Sequence, residues 1–278
     1  MTVQLSQAII SKQPFAADIA ISMGKPAIAE LAALTQHSQT SIRMDALRIL
    51  QNFDLQDSYN IVFAALEEQD INIVHTGLSI IEKHQSQVSS TILAALLEKL
   101  HFESAKISVL LMLGTKLENT PDAQHLNERQ IMQQYCSIEH GENLALHAVT
   151  ALAKAGDKRR RQQFSAYVNS LHSSLQQLAS VMSLIDYIRQ PWLLPTLRQL
   201  LQNKKCLHAL EPSIPGTPKE LRVCDLAVLA ISQICHQAFS FTPHPLKNFS
   251  DVQLEEAAKV ASQMGSKLYA HNVNQTSI

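Results

Sequence analysis

The residues of this sequence that are best suited to chemistry are its cysteines and histidines. Cys206 and His208, Cys224, and the adjacent Cys235 and His236 could meet around a metal ion or supply a Cys–His nucleophile pair. Their spacings match no zinc-binding pattern, and a nucleophile pair needs a third, orienting residue that the sequence does not identify. Because free cysteine is among the most frequently buried residue types, we expect structural thiols. The sequence also lacks phosphate-loop, zinc-protease and serine-hydrolase motifs, so we predict no catalytic residue, metal or cofactor.

The sharpest charge cluster consists of four consecutive cations, Lys158, Arg159, Arg160 and Arg161, at the start of a predicted helix. They could contact a phosphate or an acidic protein. Four consecutive helical positions point in several directions, so not all four can serve one surface, and we favour a solvated face. Nucleic-acid binding through these residues is kept as an alternative, although a pI of about 6.9 argues against a generally basic groove.

Trp192 is the only tryptophan, and it follows Pro191 at a predicted helix start. Large aromatic side chains are mostly buried, so we expect Trp192 to pack in the core or to anchor a loop. The alternative is a hot spot for a binding partner.

Arg222 and Asp225 lie three residues apart at the start of a later helix, after a long proline-rich segment. This spacing brings side chains together on one helix face. We expect the two residues to pair with each other or to tie down the segment. If that segment binds a partner, they would orient it.

Composition predicts a folded, all-helical chain. The hydrophobic share is 46%, the charged share is 17%, and seven glycines are few for a fold rich in strands and tight turns. The first residues do not have the pattern of a signal peptide, and no apolar run is long enough for a membrane span. The cysteines have no disulfide-framework spacing. We therefore expect a cytoplasmic protein without a membrane partner.

Charge is distributed unevenly along the chain. Residues 1–150 hold 9 Lys and Arg against 16 Asp and Glu, a balance of −7, and residues 151–278 hold 14 against 8, a balance of +6. Such asymmetry bears on the choice of partner rather than on the fold.

The strongest organising pattern is a repeat with a period of 31 residues. Shifted by 31, the stretch 41–68 matches 72–100, and a small residue recurs at one place, first Ala46 and then Gly77. Each copy reads as two amphipathic helices, and such a unit needs a neighbour on each side to bury its apolar face. A third first helix is predicted at 104–116, after which the period lengthens to 40. The nine extra residues are placed in 118–126, where Thr120 is expected to cap the helix that follows.

We predict one domain over residues 1–278. It begins with an N-terminal capping unit at 5–35, followed by repeats over 41–202. A loop at 203–218 holds three prolines and a glycine, and long loops in compact arrays are often functional. C-terminal helices occupy 219–270. The first of them is predicted at 220–236, behind a capping box that starts at Thr217, and the last is capped by Ser250 with Gln253.

The first helices carry the motifs Ile42-Arg-Met-Asp-Ala-Leu-Arg-Ile-Leu50 and Leu221-Arg-Val-Cys-Asp-Leu-Ala-Val-Leu-Ala230. With a 31-residue two-helix period, they resemble HEAT and HEAT-like repeats, including the group that contains the phycobilin lyases. The resemblance covers 41–117, and then 141–155 and 219–236, but the copies lack the early proline of the usual first helix. It implies an all-α, right-handed α-α superhelix, an armadillo-like helical solenoid of about six or seven helix pairs.

The resemblance implies a non-enzymatic scaffold or adaptor that binds another protein on its concave face, because the repeats themselves carry no catalytic residues. The predicted inner surface runs from acidic to basic, which suits a partner of opposed charge. We keep three alternatives: an inhibitor or immunity protein for a cognate toxin, a HEAT-like DNA-binding protein, and a phycobilin-type lyase. A structural repeat within a larger assembly is also possible. We expect a monomer or a weak oligomer.

Overall fold

The computed structural model describes residues 5–121, 124–170, 175–209, 220–236, 239–244 and 247–275. Within these ranges the chain forms fifteen α-helices and a single two-stranded sheet, so the predicted all-helical class is confirmed. The chain divides into two compact units, Met1–Ala148 and Val149–Ile278, here called unit 1 and unit 2. None of the described helices has the length and apolar character needed to cross a membrane.

Unit 1 is built from short helices, and the unit boundary falls inside its last helix. The helices are α1 Leu5–Ile10, α2 Ala16–Met23, α3 Pro26–Leu34, α4 Thr40–Leu50, α5 Leu55–Leu66, α6 Ile71–Lys83, α7 Ser90–Lys99, α8 Glu103–Lys116, α9 Leu126–Gln134 and α10 Glu142–Lys154. Each of the two predicted copies contains two helices, α4 with α5 and α6 with α7. Helix α6 packs against α4, α5 and α8, while α7 packs against α8 and α9.

Several helices of unit 1 begin where short polar side chains can satisfy free backbone N–H groups. Asp54 accepts a hydrogen bond from the backbone of Gln56, and Asp70 accepts one from Asn72. Pro26 occupies the first turn of α3, where no N–H is needed, and Gly24 before it adopts a left-handed φ of 64°. The local chemistry of these residues therefore accounts for where α3, α5 and α6 begin.

One of the helix caps predicted for unit 1 is wrong. Thr120 does not cap the helix that follows the insertion, because its hydroxyl donates instead to the carbonyl of Leu117, at 2.7 Å. The helix begins only at Leu126. Two residues of the insertion, 122–123, lie outside the described part of the chain.

The described part of unit 2 contains five further helices and the sheet. They are α11 Lys158–Ser170, α12 Leu175–Ile188, α13 Leu194–Leu200, β1 Cys206–Ala209, β2 Glu220–Arg222, α14 Val223–Cys235 and α15 Asp251–Gln275. Helix α13 packs against α11, α14 and α15, and α14 also packs against α12 and α15. The two strands pair antiparallel, with Cys206 opposite Arg222 and Ala209 opposite Glu220.

The region after α13 differs from the prediction in two ways. The predicted loop 203–218 contains the strand β1, and its remainder from 210 lies outside the described residues. The helix predicted at 220–236 begins at Val223 instead, because Glu220–Arg222 is extended and pairs with β1. The residues of the expected Thr217 cap are not described.

The final helix confirms its predicted start and extends beyond its predicted end. Ser250 and Gln253 form a capping box, in which each backbone N–H donates to the side chain of the other residue. The sequence places the end near residue 270, whereas α15 continues to Gln275. The assignment of one domain to residues 1–278, and of a superhelical arrangement to the repeats, stays a prediction.

Candidate partner-binding surface

Arg161, the last cation of the basic run, is directed into unit 2. Its Nε donates to the carbonyl of Ala153 at 3.1 Å, and its Nη2 donates to Oε1 of Gln190 at 3.2 Å. The guanidinium also lies over the ring of Trp192, 5.5 Å from its centroid. Arg161 therefore joins α11 to the turn before α13.

Trp192 belongs to the same cluster. Its indole N–H donates to Gln190 at 2.6 Å, and its ring meets Phe164 edge-to-face with centroids 6.2 Å apart. An edge-to-face pair of this kind stabilises a core beyond simple burial. Trp192 thus packs against the buried Phe164 but is itself only half-buried, and its role as a partner hot spot stays a prediction.

The other three cations of the run diverge. The backbone N–H of Arg160 donates to Asp157, which caps α11, and the Arg160 guanidinium donates to Gln163 at 2.6 Å. Only Lys158 and Arg159 are exposed, while Arg160 is half-buried and Arg161 contacts Ala153 and Gln190, so the run does not form one four-charge surface.

Arg222 and Asp225 form the ion pair that their spacing predicted. The Asp225 carboxylate is fully buried and accepts from Nε and Nη2 of Arg222, at 2.8 and 2.7 Å. It also accepts from the backbone N–H of Phe249 at 2.9 Å, and Arg222 donates to the carbonyl of Phe249 at 2.8 Å. The hydrogen bond with Asp225 raises the pKa of Arg222, against the opposing effect of burial. The pair thus joins the start of α14 to the segment that enters α15.

The two thiols of α14 are buried, as the sequence predicted, whereas Cys206, for which burial was also predicted, is only half-buried. Burial raises the pKa of both Cys224 and Cys235, so they stay protonated and unreactive at neutral pH. Among the described residues no three His, Cys, Asp or Glu side chains are grouped as metal ligands would be.

The segment that follows α13 is fixed to the start of α14. The backbone N–H of Val223 donates to the carbonyl of Lys205, and the N–H of Cys224 donates to the carbonyl of Asn203, both at 3.0 Å. The Asn203 side chain in turn accepts from the N–H of Lys205. The backbone of residues 203–205 is therefore held in place while the side chains of Lys204 and Lys205 stay exposed.

This segment borders an open cleft of about 900 Å³ in unit 2, here called the α11–α13 cleft. Its described lining side chains come from the last turns of α11 and α13 and from the residues after α13: Val168, Asn169, Gln199, Leu200, Gln202, Asn203, Lys204 and Lys205. Four are primary amides and two are lysines. The volume lies within the range of about 300–1,000 Å³ that is usual for ligand sites.

Lys204 already carries an anionic partner from its own chain. Its Nζ lies 2.6 Å from Oδ1 of Asp251 in the first turn of α15, and both side chains are largely exposed. The hydrogen bond with Lys204 and the charge of Lys204 lower the pKa of Asp251. Lys204, which lines the cleft, therefore pairs with a carboxylate of α15 that is not among the described lining residues.

The cleft and the exposed cations of the basic run are separate surfaces. Lys158 and Arg159 begin α11, whereas Val168 and Asn169 lie near its end, about 15 Å further along the helix axis. The sequence singled out the first surface and, through the loop prediction, the residues 203–205 of the second. It carried no signal for Asn169 or Gln199, which reach the cleft only through helix packing.

A buried polar cluster in unit 1 was also missed. Glu128 accepts hydrogen bonds from Ser90, Thr91 and His125, at 3.1, 2.9 and 3.4 Å. The Ser90 hydroxyl and the Glu128 carboxylate both meet Nδ1 of His125, whereas a catalytic triad needs them at opposite ring nitrogens. The cluster therefore joins α7 to α9 and does not have the geometry of a serine nucleophile.

Comparison with models of known protein families and with curated proteins found no match to this sequence.

Proposed function

We propose that this chain is a non-enzymatic module that binds another protein, and that the α11–α13 cleft is its binding surface. The observation that carries the proposal is the convergence of four amide side chains and two lysines on this one cleft. Primary amides offer both hydrogen-bond donors and acceptors, which are the groups that a polypeptide requires from its receptor.

The fixed backbone of residues 203–205 supports the same proposal. Pre-organised binding groups lose little conformational entropy when a partner is bound. Here the backbone N–H groups of Val223 and Cys224, at the start of α14, donate to this segment and position it. The Arg222–Asp225 pair in turn fixes the start of α14. These two residues would thus orient the binding segment without contacting the partner.

For the architecture of unit 1, we propose a HEAT-like stack of helix pairs. Side chains about one period apart are hydrogen-bonded to each other. The pairs are Thr40 with Asp70, 30 residues apart, His75 with Ser104, 29 apart, and Lys99 with Glu67, 32 apart. The packing of α6 between α4 and α8 is the neighbour relation that a stack requires.

Affinity capture from a lysate of the source cell tests the proposed function. We would compare the intact chain with two variants that each remove two positive charges from unit 2, Lys204→Ala/Lys205→Ala and Lys158→Ala/Arg159→Ala. A protein partner should be recovered by mass spectrometry with the wild type and with the second variant, and be lost with the first. No reproducible protein partner with any chain contradicts the proposal.

The same experiment separates the alternatives. Recovery of a toxin would identify an inhibitor of a cognate protein. Recovery of DNA that is lost with Lys158→Ala/Arg159→Ala would favour the DNA-binding alternative, because those cations lie outside the cleft.

A further inference from the structure

We infer that the α11–α13 cleft takes an extended, acidic peptide segment, and that Asp251 occupies the position of a ligand carboxylate in the free protein. The inference rests on the proposed function and names the chemistry of the partner. It starts from the 2.6 Å contact between Nζ of Lys204, a residue that lines the cleft, and Oδ1 of Asp251.

The Lys204–Asp251 pair is suited to exchange. The side chain of Lys204 is 55% exposed and that of Asp251 is 74% exposed, so water and a competing carboxylate can reach both. Exposed ion pairs contribute little to stability, because water solvates the separated charges almost as well. A partner's glutamate or aspartate can therefore replace Asp251 at small cost.

The amide side chains that line the cleft indicate which hydrogen-bonding groups the rest of the ligand carries. Asn169 and Gln199 lie on the last turns of two different helices, and Gln202 and Asn203 follow α13. An extended peptide exposes N–H and C=O groups along both edges, and amide side chains can bond to either kind. Lysines beside these amides select acidic residues at one end of the segment.

The same geometry disfavours a polyphosphate backbone. Helix α13 ends at the cleft, and the C-terminal end of a helix carries a partial negative charge from the helix dipole. A nucleic acid would bring a continuous row of negative charges past this end. An acidic peptide can place single carboxylates at the lysines and neutral backbone elsewhere.

Fluorescence anisotropy with defined probes tests the inference on the intact chain. The probe is a labelled short peptide of alternating glutamate and threonine, compared at low salt with the matching glutamine–threonine peptide and with a short oligothymidine. The wild type should bind the glutamate peptide at least about tenfold more tightly than either control.

Two matched double variants locate the site. Lys204→Ala/Lys205→Ala should weaken binding of the glutamate peptide by about tenfold or more, whereas Lys158→Ala/Arg159→Ala, with the same change in net charge, should change it by less than about twofold. Asp251→Asn should tighten binding by about two- to fivefold, since it removes the internal competitor. Circular dichroism checks that each variant is folded.

Three results would overturn the inference. They are equal binding of oligothymidine and glutamate peptide, equal losses in the two double variants, or weaker binding by a folded Asp251→Asn variant. A partner captured through the cleft that lacks acidic segments would also overturn it while leaving the proposed function intact. Absence of any captured protein, by contrast, removes the proposed function itself.

Discussion

The carboxylate of Asp225 is fully buried and is held by the guanidinium of Arg222 through two hydrogen bonds, at 2.8 and 2.7 Å. The backbone N–H of Phe249 supplies a third bond. Because Arg222 also donates to the carbonyl of Phe249, the pair connects two segments that are 27 residues apart. This ion pair is thus a buried polar connection between α14 and the entry to α15.

Asp225→Asn should destabilise unit 2. The change leaves the guanidinium of Arg222 partly buried without its anion, and breaking such a pair on one side costs about 3–5 kcal/mol. Trp192 is the only tryptophan and lies in unit 2, so its fluorescence during urea unfolding reports on this unit. The unfolding midpoint should move to clearly lower urea.

The matched control for this change is Asp186→Asn. Arg189 and Asp186 have the same three-residue spacing and a similar distance of 2.8 Å, but both side chains are 54% exposed. Exposed pairs of this kind contribute below about 1 kcal/mol. Equal shifts of the unfolding midpoint for the two variants would show that burial of Asp225 does not increase the stability that the ion pair contributes.

Glu128 should make unit 1 sensitive to acid. Burial raises the pKa of this carboxyl, but hydrogen bonds from its own backbone N–H and from Thr91, His125 and Ser90 outweigh burial and lower the pKa below its usual 4.5. A carboxyl whose pKa is lower in the folded state stabilises the fold above its unfolded value. That stabilisation is lost as the pH falls through the folded value.

Glu128→Gln is the test of this pH dependence. At about pH 7 the variant should be less stable than the wild type by about 1–3 kcal/mol, and the difference should shrink below about pH 4.5. Hydrogen exchange of α7 and α9, followed by mass spectrometry, measures the effect within unit 1. Glu82→Gln, at an exposed position of α6, is the control and should leave the pH profile unchanged.

The sequence predicted most helices because their apolar residues recur with a helical period. It placed the third first helix at 104–116, and the structure has Glu103–Lys116. It misplaced the start of α14, because Glu220 and its neighbours resemble a helix entry in isolation. Only a pairing with Cys206–Ala209, which is not local in sequence, makes these residues extended.

The candidate site was less predictable because most of its contacts join residues that are far apart in the sequence. Arg222 and Asp225 could be paired from their spacing alone, since residues three apart are neighbours on a helix. Lys204 and Asp251 are 47 residues apart, and Glu128 is 38 residues from Ser90. Contacts over such separations depend on tertiary packing, and no local pattern indicates them.

When lysines that donate to backbone carbonyl groups are replaced, the loss of stability should increase with the burial of the lysine side chain. Three lysines near the ends of their helices donate to carbonyl groups at, or just after, the C-terminal ends of other helices: Lys83 to Gln51, Lys116 to Gln85, and Lys154 to Tyr187. Lys83 is exposed, Lys116 is half-buried and Lys154 is buried. Hydrogen bonds to helix C-termini matter more when water cannot replace them.

Substitution of each lysine by methionine keeps the apolar stem and removes the donor. The loss of stability should rise from below about 0.5 kcal/mol for Lys83→Met to about 1–3 kcal/mol for Lys154→Met, with Lys116→Met between them. Urea unfolding followed by circular dichroism gives the order. A loss for Lys83→Met as large as that for Lys154→Met would contradict it.

Substitutions at Gly77 test why the predicted repeat has a small residue at this position. A Cβ atom on Gly77 would lie 2.9 Å from Cδ2 of Leu66 and 3.6 Å from Cβ of Ala65, both on α5. Alanine gains about 1 kcal/mol of helix propensity over glycine, but it must displace the buried Leu66 side chain. Gly77→Ala should therefore change the free energy of unfolding by less than about 1 kcal/mol.

A larger side chain at position 77 should not be tolerated. Gly77→Val should destabilise unit 1 by about 1–3 kcal/mol, because α5 must move away to make room. Gly265 in α15 is the control, since a Cβ there meets no atom of the described residues within 4 Å, and Gly265→Ala should stabilise by about 0.5–1 kcal/mol. Urea unfolding followed by circular dichroism measures all three variants. If Gly77→Ala stabilises as much as Gly265→Ala does, close approach of α5 and α6 is not the reason for the glycine, and the small residue shared with Ala46 needs another explanation.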